Sequence, residues 1–472
     1  MPAEARAQGQ ASAAPIKAPP RQRRVTIPSC PADVGRAVNT MAWPVILENL
    51  FQTALGTASM IMVADLGAAA VAGVGTATQI LFVLQAAFGA VTTGTTVLIA
   101  RAIGAGQDDE ANLITKQSLV LGAFLAVVLG VIGYQYSDAL IRLLGADPDV
   151  VALGGGYLRV TMVSGLVLLG MFVISGALRG AGDTRTPMMV TGLINLINIG
   201  IAYLLIFGQM GFPALGVEGA AWAAAISRAI GVAILLGLLL RGRGALDIRG
   251  RDGWLPNTRI YARITRLGTP SMLEQLAMSG GMLVYGIIAI SLGTTVYAVQ
   301  RITFQALSIS FMPGMGFAMA ATAMVGQCLG ARRADLSEIS TWYAVRMAVA
   351  WMTVMGVIMA VLGGPIMRIF TDDPEMIALG VDALKVIAFS QPFMGIAQVL
   401  AGSLRGAGDT QFPMYSTALG VWIIRLPLGY LFGPVLGWGL SGIYMSNVLD
   451  AVARSVAQLL RYRSGRWREI EV

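Results

Sequence analysis

The chain has 472 residues, 56% of them hydrophobic and only 12% charged, with a mean hydropathy of +0.70. A soluble domain of this size carries about 25% charged residues, so most of the chain belongs in hydrocarbon, and its 58 glycines suit helices that pack closely there. The net charge of +8 collects in short connections between apolar stretches, which reads as membrane orientation rather than a nucleic-acid footprint, and no nucleic acid is expected as partner.

Histidine is absent, which excludes imidazole metal sites, Ser-His-Asp triads and histidine proton relays; proton chemistry falls to carboxylates. Cys30 and Cys328 stand in unlike contexts and suggest no disulfide framework.

Residues 1–38, rich in Ala, Pro, Gln and Arg, lack an apolar run and read as a disordered cytosolic tail rather than a cleaved signal peptide. Apolar windows of about 20 residues then follow as spanning helices. They lie at 41–63, 69–100, 113–134, 150–177, 187–208, 215–240, 267–291, 295–326, 340–362, 376–402, 413–433 and 438–460. Twelve spans put both termini on one side. The connection 241–266 alone holds seven arginines, and only Arg142 and Arg368 fall on the opposite side, so both termini are expected in the cytoplasm of a multi-pass plasma (inner) membrane protein.

The two halves repeat in register. Pro44 and Glu48 recur as Pro270 and Glu274, an offset of 226 (270 − 44), and Gly104-Ala105 recurs as Gly330-Ala331. Leu178-Arg179-Gly180-Ala181-Gly182-Asp183-Thr184 returns unchanged as Leu404-Arg405-Gly406-Ala407-Gly408-Asp409-Thr410 at the same offset. Six spans per copy give both copies one topology and a pseudo-twofold axis along the membrane normal. The expected fold is an all-α integral membrane protein with two six-helix lobes: an N-lobe at 39–240, a basic cytosolic linker at 241–266, a C-lobe at 267–462 and a cytosolic tail at 463–472. A cavity between the lobes, reached by rocking one against the other, follows from that architecture.

An ionisable group inside a span is costly, and so a functional candidate. Glu48 and Glu274 are the clearest, each one turn beyond a proline. A carboxyl group out of water resists carrying charge, which suits it to take up and release a proton, or to ligate Na⁺. The alternative is a hydrogen bond between helices or the wall of a cytosolic vestibule.

On the helical stripe of Glu48 lie Gln52 and Ser59, and on that of Glu274 lie Met278 and Tyr285, with Asn49 and Gln275 beside them; such stripes also serve plain packing. Gln79 in the second span, with Gln300 and Gln305 in the eighth, offers neutral polar contacts to a substrate. Arg301 is expected near the outer interface. Asp450 and Arg454, at i and i+4, form an expected structural ion pair. Arg159, Arg228, Arg346, Lys385 and Arg425 are expected near span ends, reaching headgroups.

The duplicated Arg-Gly-Ala-Gly-Asp-Thr turns look architectural: glycines for a tight reversal, Asp or Thr as cap, Pro187 and Pro413 for the first turn of the next helix. They lack the Lys-Ser/Thr of a phosphate-binding loop. No ATPase motif is present, so transport would draw on an ion gradient.

The Leu-Arg-Gly-Ala-Gly-Asp-Thr-x-x-Pro-Met signature at 178–188 and 404–414 resembles the multidrug and toxic compound extrusion (MATE) family. So do Phe311-Met312-Pro313-Gly314-Met315-Gly316-Phe317, Val325 to Ala331, and Glu48 to Thr53, and the likeness runs over about residues 40–465. The resemblance implies twelve helices in two lobes and export of organic, often cationic, compounds in exchange for H⁺ or Na⁺; without histidine, a metal-ligand cluster or an activated nucleophile in the sequence, no catalysis, cofactor or bound metal is expected. The chain departs from many members in two places: it has Ser59 where they carry Asp, and Gln300-Arg301 where they carry His-Gln. The first departure leaves Glu48 to take over cation binding. A monomer working on small molecules in lipid is expected. The competing reading is a flippase for a lipid-linked oligosaccharide or another anionic amphiphile, which needs a cation such as Arg301 or Arg425 facing the cavity.

Overall fold

A computed structural model describes residues 31–242 and 246–470, and every regular element among them is helical. The first half runs through α1 (Pro31–Ala64), α2 (Ala68–Gly104), α3 (Asp108–Leu143), α4 (Pro148–Val163), α5 (Gly165–Gly180), α6 (Arg185–Phe207) and α7 (Gly216–Arg241). The second half holds α8 (Thr258–Ser291), α9 (Thr294–Gly330), α10 (Ala334–Val361), the short α11 (Gly363–Arg368), α12 (Pro374–Ala388) and α13 (Gln391–Gly406). It ends with α14 (Gln411–Leu419), α15 (Leu426–Tyr430) and α16 (Gly439–Arg463). Wider π-type turns at Gly420–Arg425 and Leu431–Val435 join α14 and α15 into one apolar rod, Gln411–Val435.

Nine helices among the described residues are long and apolar enough to cross a bilayer, or eleven when each of two bent pairs counts as one span. The bends lie at equivalent positions of the repeat, 55° between α4 and α5 and 49° between α12 and α13. A serine hydroxyl bonds back onto its own helix at each bend, Ser164 Oγ to Thr161 O (2.9 Å) and Ser390 Oγ to Ile387 O (2.7 Å), and at the second bend Pro392, in the first turn of α13, also withholds a backbone donor. The windows 150–177 and 376–402, expected as single spans, are therefore broken ones. The last helix, α16, falls short of the apolar criterion because it carries Asn447, Asp450, Arg454 and Gln458, all of them buried.

Two boundaries differ from the sequence reading. The helix α1 begins at Pro31, so residues 31–38, expected within a disordered tail, are helical, while the rest of that tail lies outside the described residues. Val34 and Val38, apolar at helical spacing, are 1% and 0% exposed and extend the helix below the bilayer window. The segment 241–266 is likewise only partly a connection, since α8 opens at Thr258 with Asn257 Oδ1 accepting from Arg259 N and Ile260 N. Residues 243–245 of it lie outside the described residues.

Lipid rewards helix packing through close contact rather than through the hydrophobic effect. The small residues supply that contact. A Cβ on Gly180 would lie 2.6 Å from Thr96 O, and one on its repeat partner Gly406 would lie 2.3 Å from Thr322 O. Beside them Thr96 Oγ1 donates to Gly176 O (2.9 Å) and Thr322 Oγ1 to Gly402 O (2.8 Å), so α2–α5 and α9–α13 are packed alike.

The first helix of each half leans into the other half's core. Val34, Val38, Met41 and Ile46 of α1 join a buried cluster with Phe317, Met324, Val325 and Leu400. Ile260, Ile264 and Leu267 of α8 join the cluster of Phe88, Leu98, Leu169 and Ile174. Val34 and Ile260, Val38 and Ile264, and Met41 and Leu267 each stand 226 residues apart (260 − 34), so the exchange is reciprocal.

Candidate functional site

Glu48 sits one turn past Pro44 in α1 with 2% of its surface exposed. Its Oε1 accepts from Thr191 Oγ1 of α6 at 3.4 Å, and Arg179 of α5 brings Nη1 to 3.8 Å from Oε2. Glu274 occupies the same place in α8. Its Oε1 accepts from Thr417 Oγ1 at 3.0 Å and from Arg405 Nη2 at 2.9 Å. Arg179 and Arg405, like Thr191 and Thr417, stand 226 residues apart, so one three-residue constellation is built twice. The arginine comes from the duplicated turn motif.

The two copies are not equal. In the second half the pair is a hydrogen-bonded ion pair whose side chains keep 27% (Arg405) and 14% (Glu274) exposure. In the first half the side chains are more deeply buried, at 12% and 3%, and the separation exceeds a hydrogen bond. Glu48 Oε2 consequently has no hydrogen-bond partner among the described residues. A carboxylate oxygen left unpartnered in a dry site is costly, and it offers a lone pair to a proton or a small cation.

The aspartate of each motif caps the next helix. Asp183 Oδ1 accepts from Thr186 N (3.0 Å) and Asp409 Oδ1 from Phe412 N (3.3 Å), while Gly182 and Gly408 take φ values of +89° and +93° that a residue with a side chain adopts only with strain. Asp409 Oδ2 also accepts from Arg461 Nε at 2.8 Å. The architectural reading of the motif thus misses its arginine. The 226-residue register that pairs Glu48 with Glu274 also pairs Arg179 with Arg405, and that was the available signal.

A second charged centre lies in the second half. Asp450, fully buried, receives Arg454 Nε and Nη2, each at 2.9 Å, and also Arg425 Nε at 2.9 Å. Arg425, expected at a span end, is 3% exposed in the middle of the rod Gln411–Val435 and is committed to Asp450. Gly420 makes the approach feasible, because a Cβ there would lie 2.2 Å from Asp450 Oδ1.

The remaining candidates scatter. Gln52, Gln79, Gln275 and Gln305 are exposed, while Asn49, Ser59 and Met278 are half-buried. Tyr285 and Gln300, expected to line a cavity, are each 6% exposed: Tyr285 packs in the second-half core and its hydroxyl donates to Ile443 O (2.8 Å), while Gln300 O accepts from Thr303 Oγ1 (3.0 Å). No hydrogen bond or ion pair joins any of these residues to either glutamate among the described residues. Arg301 is exposed, with its guanidinium 5.8 Å from the Tyr297 ring. No group of three His, Cys, Asp or Glu side chains gathers to hold a metal among the described residues.

The MatE family model matches the chain twice, over residues 44–204 and 270–431. A probable multidrug resistance protein NorM from Thermotoga maritima is 33% identical over 441 residues, 93% of this chain and 94% of that protein. An uncharacterized transporter, YisQ, from Bacillus subtilis is 28% identical over 444 residues, 93% of this chain and 96% of that one. A crystal structure of MATE in complex with MaD3S superposes with a TM-score of 0.86 at 25% identity, covering 93% of this chain and 97% of that chain. With its matched duplication, its membrane-spanning helices and these relatives, the chain belongs to the MatE family, the MATE multidrug efflux transporters.

Proposed function

We propose that the chain is a secondary-active antiporter that exports organic, cationic or amphipathic small molecules in exchange for H⁺ or Na⁺. In this reading twelve spans form two six-helix lobes, 39–240 and 267–462, that rock about a pseudo-twofold axis. Both termini face the cytoplasm across the plasma membrane, and a monomer suffices.

One observation carries the coupling assignment. Glu48 is the deeply buried carboxylate, held 3.8 Å from Arg179 with no hydrogen-bond donor to its Oε2 among the described residues, whereas the more exposed Glu274 takes Arg405 Nη2 on its Oε1 at 2.9 Å. A proton or cation arriving at Glu48 alters a charge balance that the second half keeps closed, so the coupling site belongs to the N-lobe, with Glu274 as its structural counterpart. The anionic-substrate alternative drew on Arg301 or Arg425 as a cavity cation; the Arg425 guanidinium is bound to Asp450, whereas Arg301 is exposed beside the Tyr297 ring, so transport of an anionic probe decides that reading.

The test is transport in proteoliposomes of wild type, Glu48→Gln and Glu274→Gln, following a fluorescent organic cation under imposed H⁺ or Na⁺ gradients. Gradient-driven movement that collapses with Glu48→Gln and survives Glu274→Gln is expected. Scrambling of an anionic lipid probe by a wild type that moves no cation would sink the reading.

A further inference from the structure

The C-terminal turns of α2 and α9 meet each other across the pseudo-twofold axis, and the contacts there come in reciprocal pairs. A Cβ on Gly104 would lie 2.0 Å from Gln327 O, and one on Gly330 would lie 2.1 Å from Arg101 O. Gly104 and Gly330 are repeat partners, and so are Arg101 and Gln327 (327 − 101 = 226). The side chains of that second pair also cross. Arg101 Nη2 donates to Ala407 O of the second-half turn at 2.8 Å, and Gln327 Nε2 donates to Gly180 O of the first-half turn at 2.9 Å. Each duplicated Arg-Gly-Ala-Gly turn therefore does two things at once. Its arginine faces a glutamate of its own half, hydrogen-bonded in the second half and at 3.8 Å in the first, and a neighbouring carbonyl is held by a donor from the other half.

From this geometry we propose that the two turns form the inner gate of the transporter, latched by Arg101 and Gln327 as positioning residues and tightened by backbone contact at Gly104 and Gly330. The physical argument is local. Gln327 is 1% exposed, so its amide leaves a buried Gly180 carbonyl without a donor whenever the halves part. The same α2–α9 crossing is flanked by the exchanged inner halves of α1 and α8, which must withdraw from the opposite cores for the end to open. Opening thus breaks a small, named set of contacts that closing restores, which is the bistable arrangement an alternating-access gate needs. Arg101 Nη2 also donates to Ile470 O (3.1 Å), adding the C-terminal segment to its latch.

The gate rests on the alternating-access reading, and the experiment separates the two. Full-length protein in lipid nanodiscs, freed of Cys30 and Cys328, would carry one spin-label pair at the inner end (Asp109→Cys with Asp335→Cys) and, separately, one at the outer end (Asp65→Cys with Ser291→Cys). Distances would be compared between the labelled parent, Arg101→Ala/Gln327→Ala, and Gly330→Ala, which wedges α2 from α9 without removing a hydrogen bond. The gate predicts a several-fold gain in the long-distance population at the inner end together with shortening at the outer end, in both variants. Unchanged distances, or broadening at both ends alike, would overturn it, the latter because a merely loosened fold has no reason to move the two ends in opposite senses. Failure of the parent to drive any substrate with an ion gradient would remove the antiport reading, while the distance comparison would still judge the gate.

Discussion

Arg179 stands 3.8 Å from Glu48, within Coulombic reach and beyond hydrogen-bonding range, and that separation makes the pair asymmetric toward substitution. Removing the arginine strands a carboxylate with 3% side-chain exposure, whereas removing the carboxylate strands a guanidinium with 12% exposure on a longer stem. An uncompensated buried charge costs about 3–5 kcal/mol, while a longer basic side chain can reach water or a headgroup. Arg179→Gln should therefore lower the thermal midpoint in detergent more than Glu48→Gln, and the double variant should recover part of the loss. Tryptophan-fluorescence melts of the three proteins check this; equal losses in the two single variants would contradict it.

The buried centre of the second half gives a stronger case. Among the described residues Asp450 is the carboxylate that ion-pairs with both Arg425 and Arg454, so Asp450→Asn leaves two like charges facing each other with almost no exposure. A loss of about 3–5 kcal/mol or more is expected, seen as poor recovery of monodisperse protein on size exclusion. Arg425→Met leaves the Asp450–Arg454 pair neutral and should cost less. If Arg425→Met proves the worse of the two, the assignment of Asp450 as the balancing charge is wrong.

Much of this architecture was legible because it is periodic. Apolar windows and the 226-residue register are properties of many residues together, and errors at single positions average out. The candidate site was legible only where a charge interrupted an apolar run, as at Glu48 and Glu274, which the structure places in one repeated constellation. Its partners were not: Arg179 sits in a glycine-rich turn whose composition already has an architectural explanation, and Thr191 looks like any hydroxyl in a span. Arg425 was misplaced because distance along the chain says nothing about which neighbouring helix supplies a counter-charge. The exchange of α1 and α8 between cores was invisible for the same reason, since Val34 and Ile260 are apolar whichever core receives them.

The repeat also exposes a local conflict. Gly106 turns the chain after α2 with φ +73°, and at the equivalent position after α9 the chain has Arg332 with φ +58°. A side chain in this left-handed region is strained, and Arg332 is exposed. Arg332→Gly should stabilise the protein, or at worst leave it unchanged, with a gain of up to about 1 kcal/mol as relief of strain offsets the greater freedom of the unfolded chain. Thermal melts of Arg332→Gly and Arg332→Ala beside wild type decide this. Stabilisation by Ala but not by Gly would mean that the arginine side chain, rather than the backbone, is the source of the conflict.

The segment after α7 is held down by α3 in a way its basic composition did not suggest. Lys116, 7% exposed, donates Nζ to Asp252 O (2.9 Å), Arg249 O (3.2 Å) and Gly250 O (3.4 Å), and Gln117 Nε2 donates to Gly253 O (2.6 Å) and Leu255 O (2.7 Å). Leu246 and Ile248 are buried beneath the same segment. Hydrogen bonds from a charged donor are worth about 1.5–3 kcal/mol, so Lys116→Met should release the backbone around 249–253 while leaving the spans intact. A loss near 1.4 kcal/mol raises the open fraction about tenfold. Trypsin cleavage after Arg249 and Arg251 should then accelerate by about that factor, with the thermal midpoint of the whole protein barely moved. Gln117→Leu, which frees the neighbouring carbonyls, should act in the same direction. Unchanged cleavage in both variants would mean that Leu246 and Ile248 anchor the segment without these hydrogen bonds.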